Sequence, residues 1–338
     1  MILVLITMAS YVLVRFIERA AIEVQGEGYY VERTRLRLDA WSMMEVAVAV
    51  LADVKEIEGA LYSPAQGWQD PLKYSEIQPK EGLKVTFEFL DESAKMGINV
   101  VDEGALFLLF DEMGFDINDS QELSDALLDW IDEDDDERLG GAESREYSKG
   151  DIEMRASNQP LRSLQELKYV LGFKRHFFDE SGIPNANFSM LSEVFTTYNV
   201  ERINVNSARP LALMTLGGLG ELQVKAIYDY LDGVDNVIGT GDDNYFASQE
   251  EMMEIVNELD DAIAIDFQIS VLTIKVTVQE GGSAYTLVGT LDLNQTASID
   301  ATGEEGGSLE YPFLFLELRE QPGMNNAEST ESPENNDA

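Results

Sequence analysis

The chemistry open to this chain is carboxylate chemistry. It has no cysteine and one histidine, His176. Thiolate nucleophiles, disulfides and cysteine or multi-histidine metal sites are therefore excluded. A Ser-His-Asp triad would have to run through His176. Against 23 Lys plus Arg stand 64 Asp plus Glu, a formal net charge of −41, and carboxylates select hard cations. The densest run is Asp129-Trp130-Ile131-Asp132-Glu133-Asp134-Asp135-Asp136-Glu137, followed by Gly140-Gly141 and Glu143. These groups repel one another unless solvated or neutralised. Asp132, Asp134 and Asp136 alternate ahead of the glycines, a spacing that can wrap oxygens around Ca²⁺, though not in EF-hand register. The same residues read equally as a solvated acidic loop after a helix. A second run, Asp232-Gly233-Val234-Asp235-Asn236 and then Gly239-Thr240-Gly241-Asp242-Asp243-Asn244, suits a calcium loop or an ordinary Asx-rich turn.

A third constellation is Ile203-Asn204-Val205-Asn206-Ser207-Ala208, followed by Leu216-Gly217-Gly218-Leu219-Gly220. Two short helices joined by such a turn resemble a helix-hairpin-helix, which offers backbone amides to nucleic-acid phosphates. Between Leu216 and Tyr230 only Lys225 is basic, with Glu221 and Asp229 acidic, and a charge of −41 repels a phosphate backbone. The packing reading is preferred to a nucleic-acid module of the competence type. His176 reads as a surface residue beside Phe177 and Phe178. No phosphate loop, nucleophile elbow or HExxH is present. A calcium-dependent hydrolase would need two carboxylates about 5 to 9 Å apart in a deep cleft, which spacing alone does not supply.

The elements that must position these residues follow from periodicity. At 44% hydrophobic and 9% aromatic, the chain can build a core, and its length suggests two units. Met1 to Val14 carry no charge; as a helix they reach about 21 Å, short of a bilayer core of roughly 30 Å. Phe16, Ile17, Ala20, Ala21 and Val24 continue the helical pattern. Trp41, Met44, Val48, Leu51 and Val54 extend it at spacings of three and four. Residues 1–62 are thus one long helix or a pair kinked near Gly26 and Gly28. Leu83 to Leu90 read as a strand, with a turn at Asp91 to Gly97 returning to Ile98-Asn99-Val100 as hairpin partner. Helices are expected around Leu123 to Ile131, Leu164 to Leu171, Leu191 to Phe195, Leu222 to Tyr230 and Met252 to Ile255. Ala264 to Gln279, Ala284 to Leu293 and Tyr311 to Arg319 read as strands, the first two joined at Gly281-Gly282. The fold class is α+β: a β domain of residues 83–103 and 260–319, interrupted by a helical insertion, 104–259. Residues 320–338 are expected to be a disordered acidic tail.

In order, Leu127-Leu128-Asp129-Trp130-Ile131-Asp132, Gly140-Gly141-Ala142-Glu143, Leu161-Arg162-Ser163-Leu164-Gln165-Glu166-Leu167 and Ile203-Asn204-Val205-Asn206-Ser207-Ala208 form a specific series. With the apolar N-terminal helix, and Asp91 to Lys95 leading to Ile98-Asn99-Val100, the chain resembles the minor pseudopilin K family of the type II (general) secretion pathway. The resemblance spans Met1 to Arg319. It implies a pilin-like domain with a long N-terminal helix and antiparallel sheet, interrupted by a large all-α insertion. It also implies a structural rather than enzymatic role at the tip of a periplasmic pseudopilus. Other minor pseudopilins and the inner-membrane secretion machinery would be the partners. Met1–Val14 would sit in the inner-membrane bilayer as a single-pass anchor, with the main domain in the periplasm. Calcium is implied in the insertion, carried onto Asp132, Asp134, Asp136 and Glu143, with Asp242 and Asp243 as second choices. The stripe Trp41, Met44, Val48 and Leu51 is expected to pack against sibling helices. No carboxylate precedes Glu18, which suits a terminal subunit. No basic leader or glycine cleavage site precedes Met1, the cysteine pairs of some members are absent, and the acidic tail has no family counterpart.

Overall fold

The computed structural model describes residues 2–148, 155–234, 242–256, 264–300 and 308–324. It opens on α1 (Ile2–Glu58), one continuous helix of 57 residues, about 86 Å long. No proline interrupts it. Gly26 and Gly28 each cost about 1 kcal/mol in a helix interior and do not break it, so the kinked pair is set aside. The helix stops at Gly59, whose φ of 85° provides the left-handed cap. Among the described residues no helix is long and apolar enough to cross a membrane.

Further along lie α2 (Pro71–Tyr74), β1 (Lys84–Asp91), β2 (Met96–Gly97), α3 (Glu103–Glu112), α4 (Ile117–Ile131), α5 (Ser144–Tyr147), α6 (Phe173–Phe177) and α7 (Ala186–Val194). Next come β3 (Phe195–Thr196), β4 (Ile203–Asn204), α8 (Pro210–Thr215), α9 (Glu221–Leu231), α10 (Gln249–Val256) and β5 (Ile265–Asp266). Last are β6 (Val271–Glu280), β7 (Ser283–Asp292), β8 (Ala297–Asp300), β9 (Ser308–Tyr311) and β10 (Leu314–Met324).

The main sheet has the order β1-β6-β7-β10, antiparallel throughout. The β6–β7 hairpin pairs Glu280 with Ser283, and Gly281 takes a φ of 57° where a two-residue turn needs a left-handed residue. One face of this sheet is apolar: Leu272, Ile274, Val276 and Val278 from β6, with Tyr285, Leu287 and Leu291 from β7. It packs on Leu36, Ala40, Met44, Val48, Leu51 and Val54 of α1. A second apolar cluster, including Phe110, Leu127, Phe173, Phe195 and Leu213, belongs to the helices between β1 and β6.

Several expectations are corrected. The partner of β1 is β6, with Phe87 opposite Val276, and not Ile98–Val100. Ile98 is fully buried in the helical cluster, and its N–H donates to Thr196 O at 2.8 Å. Gly97 passes so close to another loop that a Cβ there would lie 2.6 Å from Tyr198 O. The helix expected across Leu164 to Leu171 is a 3₁₀ helix, Leu164–Tyr169, with α6 after it. Helix α3 was not foreseen; Asp102 caps it by accepting from Ala105 N at 3.0 Å. The last strand passes the expected tail boundary at 320: Glu320 pairs with Leu287 and Gln321 with Thr286. Residues 325–338, the rest of that tail, lie outside the described residues.

Two asparagines of the Ile203–Ala208 motif staple the halves together. Asn204 Nδ2 donates to Asp91 Oδ2 at 2.8 Å and Tyr62 O at 3.3 Å. Asn206 Nδ2 reaches Phe246 O and Phe267 O, and its Oδ1 accepts from Phe246 N. Burial pushes the Asp91 carboxyl up, opposed by its hydrogen bonds to Ser93 and Asn204.

Candidate metal centre

Helix α4 begins at Asp116, whose carboxylate accepts from Asn118 N and Asp119 N. Its inward face carries Leu123, Leu127 and Trp130, and also two buried carboxylates, Asp125 and Asp129. A buried carboxylate must be satisfied, and the loop beyond the helix does this. Asp125 Oδ2 accepts from Gly140 N at 2.8 Å and Oδ1 from Gln121 Nε2 at 2.8 Å. Asp129 accepts from Arg138 N at 3.1 Å and Arg138 Nη1 at 2.6 Å. These bonds fold residues 132–141 back over α4 as a strap. The strap lies so close that a Cβ on Gly141 would sit 1.9 Å from Asp129 Oδ2, and one on Gly140 3.1 Å from Glu122 Cα. Gly140-Gly141 closes a turn, with Gly141 N–H donating to Arg138 O at 3.1 Å, and also permits this close approach.

The strap brings Asp132 and Asp134 to Glu143, the residue leading into α5. One carboxylate oxygen from each of the three lies within 4.8 Å of the others. Glu143 is 3% exposed, and neither of its carboxylate oxygens has a hydrogen-bond partner; nor does Asp132 Oδ1. The other oxygen of Asp132 is held by Arg138 Nη1 at 2.7 Å. Asn158 donates from Nδ2 to Asp134 O at 2.7 Å, and its Oδ1 is another buried acceptor without a donor. Burial, reinforced by the charges of Asp129, Asp132 and Asp135, pushes Glu143 up to about 7. Buried acceptors left without donors are the donor set of a hard cation. The residues present fit Ca²⁺.

Of the four positions first considered, Asp132, Asp134 and Glu143 come together. Asp136 stays exposed outside the trio; its N–H donates to Asp134 Oδ1 at 2.9 Å and so orients that carboxylate. Asn158 was missed, being fifteen residues downstream of Glu143 in a stretch without periodicity. Asp242 and Asp243 sit in the loop after α9, where Asp242 Oδ2 accepts from Val234 N at 3.0 Å. Among the described residues they join no comparable group, and the part of that loop at 235–241 lies outside the described residues.

The expected sibling-facing stripe is also corrected. Met44, Val48 and Leu51 are covered by their own sheet, because helical periodicity marks a buried face without saying what buries it. Trp41 is half-buried, and its Nε1 donates to Glu320 Oε1 at 3.1 Å. Glu320 also accepts from Arg37 Nη2 at 2.7 Å and Tyr285 Oη at 2.7 Å. The Arg37 hydrogen bond, with that from Tyr285, holds the Glu320 carboxyl at about 2. This clamp ties α1 to β10 across 283 residues, a separation that leaves no local sequence signal. In the α8–α9 pair, Leu213, Leu216, Leu219 and Ile227 are buried, and Lys225 is paired with Asp229. Lys225 is the one lysine or arginine between Leu213 and Leu231.

The long-helix α+β frame with its antiparallel sheet is a pilin-like fold. Within that class the chain is similar to type II secretion system protein K. The family model for protein K of the type II secretion system matches residues 91–180, the segment that contains the strap, Glu143 and Asn158. Type II secretion system protein K of Pectobacterium carotovorum subsp. carotovorum is 24% identical over 136 residues, 36% of this chain and 40% of that protein. The match thus spans less than half of that relative's length. In the crystal structure of the GspK-GspI-GspJ complex from the enterotoxigenic Escherichia coli type 2 secretion system, one chain aligns with a TM-score of 0.56 at 14% identity. That alignment covers 89% of this chain and 99% of the other.

Proposed function

We propose that the protein is a minor pseudopilin of the K type, a non-enzymatic component at the tip of the type II secretion pseudopilus. The observation that carries this reading is that residues 91–180, where the sequence resemblance lies, also build the strap and its oxygen trio on a pilin-like frame. The bulky helical part, inserted between β1 and β6, would cap the filament. The α8–α9 hairpin serves there as packing. Other minor pseudopilins are the partners, as the K, I and J chains of the aligned complex are for one another. The N-terminal segment Met1–Val14 would enter the inner-membrane bilayer beside the secretion machinery and leave the main domain in the periplasm.

Calcium is part of the proposal. Asp132, Asp134 and Glu143 would hold the ion, with the Asn158 amide oxygen beside them. The ion supplies positive charge where three carboxylates otherwise repel. Arg138 fixes Asp132 and Asp129, and Asp136 N–H fixes Asp134, so the acceptors are oriented before the ion arrives. The test is deletion of the gene in its host. Exoproteins should then accumulate in the periplasm, and the intact gene should restore their release. Normal release in the deletion strain would defeat the reading.

A further inference from the structure

A cavity of about 480 Å³ lies where the end of β1 meets the helices between β1 and β6. Phe89 and Leu90 of β1 and Lys95 form one wall; Ala208 and Arg209 ahead of α8, with Leu231 of α9, form the other. Space of this size at a junction of two packed parts is where small ligands bind. Its walls include parts of the Asp91–Lys95 and Ile203–Ala208 stretches, whose asparagines are already committed to holding the halves together.

The polar groups of the cavity divide into those already satisfied and those that are not. Asp91 accepts from Ser93 N at 2.9 Å, from Ser93 Oγ, and from Asn204 Nδ2 at 2.8 Å, so both its oxygens are engaged. Ser192 Oγ donates to Ser189 O, and Tyr228 Oη to Ala208 O, each at 2.8 Å. Lys95 differs. Its side chain is only 14% exposed, and its ammonium, which has three donors, makes one bond, to Glu92 Oε2 at 3.3 Å. Among the described residues its other two donors have no acceptor. Arg209 stands at the mouth with its side chain 63% exposed, and its one ion pair, Nε to Glu193 Oε2 at 3.5 Å, is longer than an ordinary hydrogen bond. The Arg209 charge reaches Tyr228, where it opposes the rise to about 12 that burial gives the hydroxyl. A largely buried ammonium short of two acceptors carries a desolvation cost that an incoming anion offsets.

We propose that this cavity binds a carboxylate carried on a short apolar body. The carboxylate takes the free donors of Lys95 and the guanidinium fork of Arg209, and the body packs on Phe89, Ala94, Ala208 and Leu231. Lys95 and Arg209 each already face one glutamate. The cavity therefore has donors to give but little net positive charge, which suits a monoanion and not a phosphate. Free organic acids and the C-terminus of a polypeptide both present this group. A ligand so held bridges the end of β1 and the start of α8, beside the Asp91–Asn204 bond.

The test is titration calorimetry of the full chain with two acids, acetyl-leucine and the peptide acetyl-Gly-Gly-Ala-Leu, and with the C-terminal amide of each. At least one acid should bind, and its amide should bind at least about tenfold more weakly. Whichever acid binds more tightly assigns the source: acetyl-leucine a free organic acid, the peptide a chain end. Lys95→Met and Arg209→Gln should each weaken binding at least about tenfold. Arg209 is exposed, so Arg209→Gln should leave the melting temperature unchanged, and it keeps the test decisive if Lys95→Met does not fold. Failure of both acids to bind, an amide bound as tightly as its acid, or either folded variant binding like the wild type would each overturn the proposal. The measurement reads binding alone, so loss or survival of secretion in the deletion strain does not bear on it.

Discussion

A cation at the proposed site would reverse what Glu143 contributes to folding. Without one, its buried carboxyl faces Asp129, Asp132 and Asp135, so ionisation opposes folding. Its pKa is raised on folding, to about 7. The neutral form therefore favours the fold below the ordinary carboxyl range, and that advantage is lost as pH climbs through 7. With Ca²⁺ bound the ionised form is the useful one. Glu143→Gln should accordingly raise the melting temperature in chelator at pH 8 and lower it in millimolar calcium. Parallel shifts in both media would show that no cation sits there. For the intact protein, a micromolar site in millimolar calcium would add about 4 kcal/mol by mass action, and Asp132→Ala with Asp134→Ala should remove that gain. Glu320 behaves in the opposite way. Its carboxyl is lowered on folding to about 2 by Arg37 and Tyr285, so the clamp contributes fully above the ordinary carboxyl range and is lost as pH falls from about 4.5 toward 2. Between pH 6 and pH 2.5 the wild type should lose more stability than Glu320→Gln; equal losses would mean that the clamp does not contribute.

Among elements, the strap over α4 is the most sensitive to a single methyl group. Gly141→Ala places a Cβ 1.9 Å from Asp129 Oδ2. Overpacking of this kind costs about 1–3 kcal/mol, and here it should also loosen calcium binding, whereas Gly282→Ala meets nothing within 4 Å. Isothermal titration and melting of the two variants check both effects. The sequence exposed some of these elements and hid others for identifiable reasons. Gly281-Gly282 between two alternating apolar runs announces a hairpin because turn and strands lie within about twenty residues. The acidic run after Ile131 announces its own electrostatic problem. Gly140-Gly141 announces a turn but hides the contact with α4, since close approach depends on tertiary placement. Ile98 is apolar at strand spacing from β1, yet its partner is Thr196, and spacing carries no information about long-range pairing. Trp41, Met44, Val48 and Leu51 show the same limit. Their period marks a buried face, and only the fold reveals that the cover is the chain's own sheet. Asn158 has no local pattern at all; it is recognised only by the unpartnered oxygen it leaves beside Asp134.

For the whole molecule, a charge of −41 makes compaction work against self-repulsion. Raising monovalent salt from 10 mM to 0.5 M shortens the screening length from about 30 Å to only a few ångströms. The melting temperature should rise with it, even in chelator, and a flat response would mean that the acidic side chains are already spaced widely enough. The same charge predicts no retardation of duplex DNA in a low-salt gel. The long helix has a mechanical consequence. Roughly 50 Å of α1 precedes Leu36, where the core begins, so a load on its N-terminal end reaches the body where the helix meets the sheet. The side chains at that junction are Arg35, paired with Glu280 of β6, and Arg37 and Trp41, both bonded to Glu320 of the last strand. A pull along the helix axis loads the row from Leu36 to Val54 in shear, all at once, whereas a sideways pull peels it from the Arg37–Glu320 end one contact at a time. The domain is therefore a stiff handle axially and a weak one laterally, and the clamp stands at the point where peeling starts.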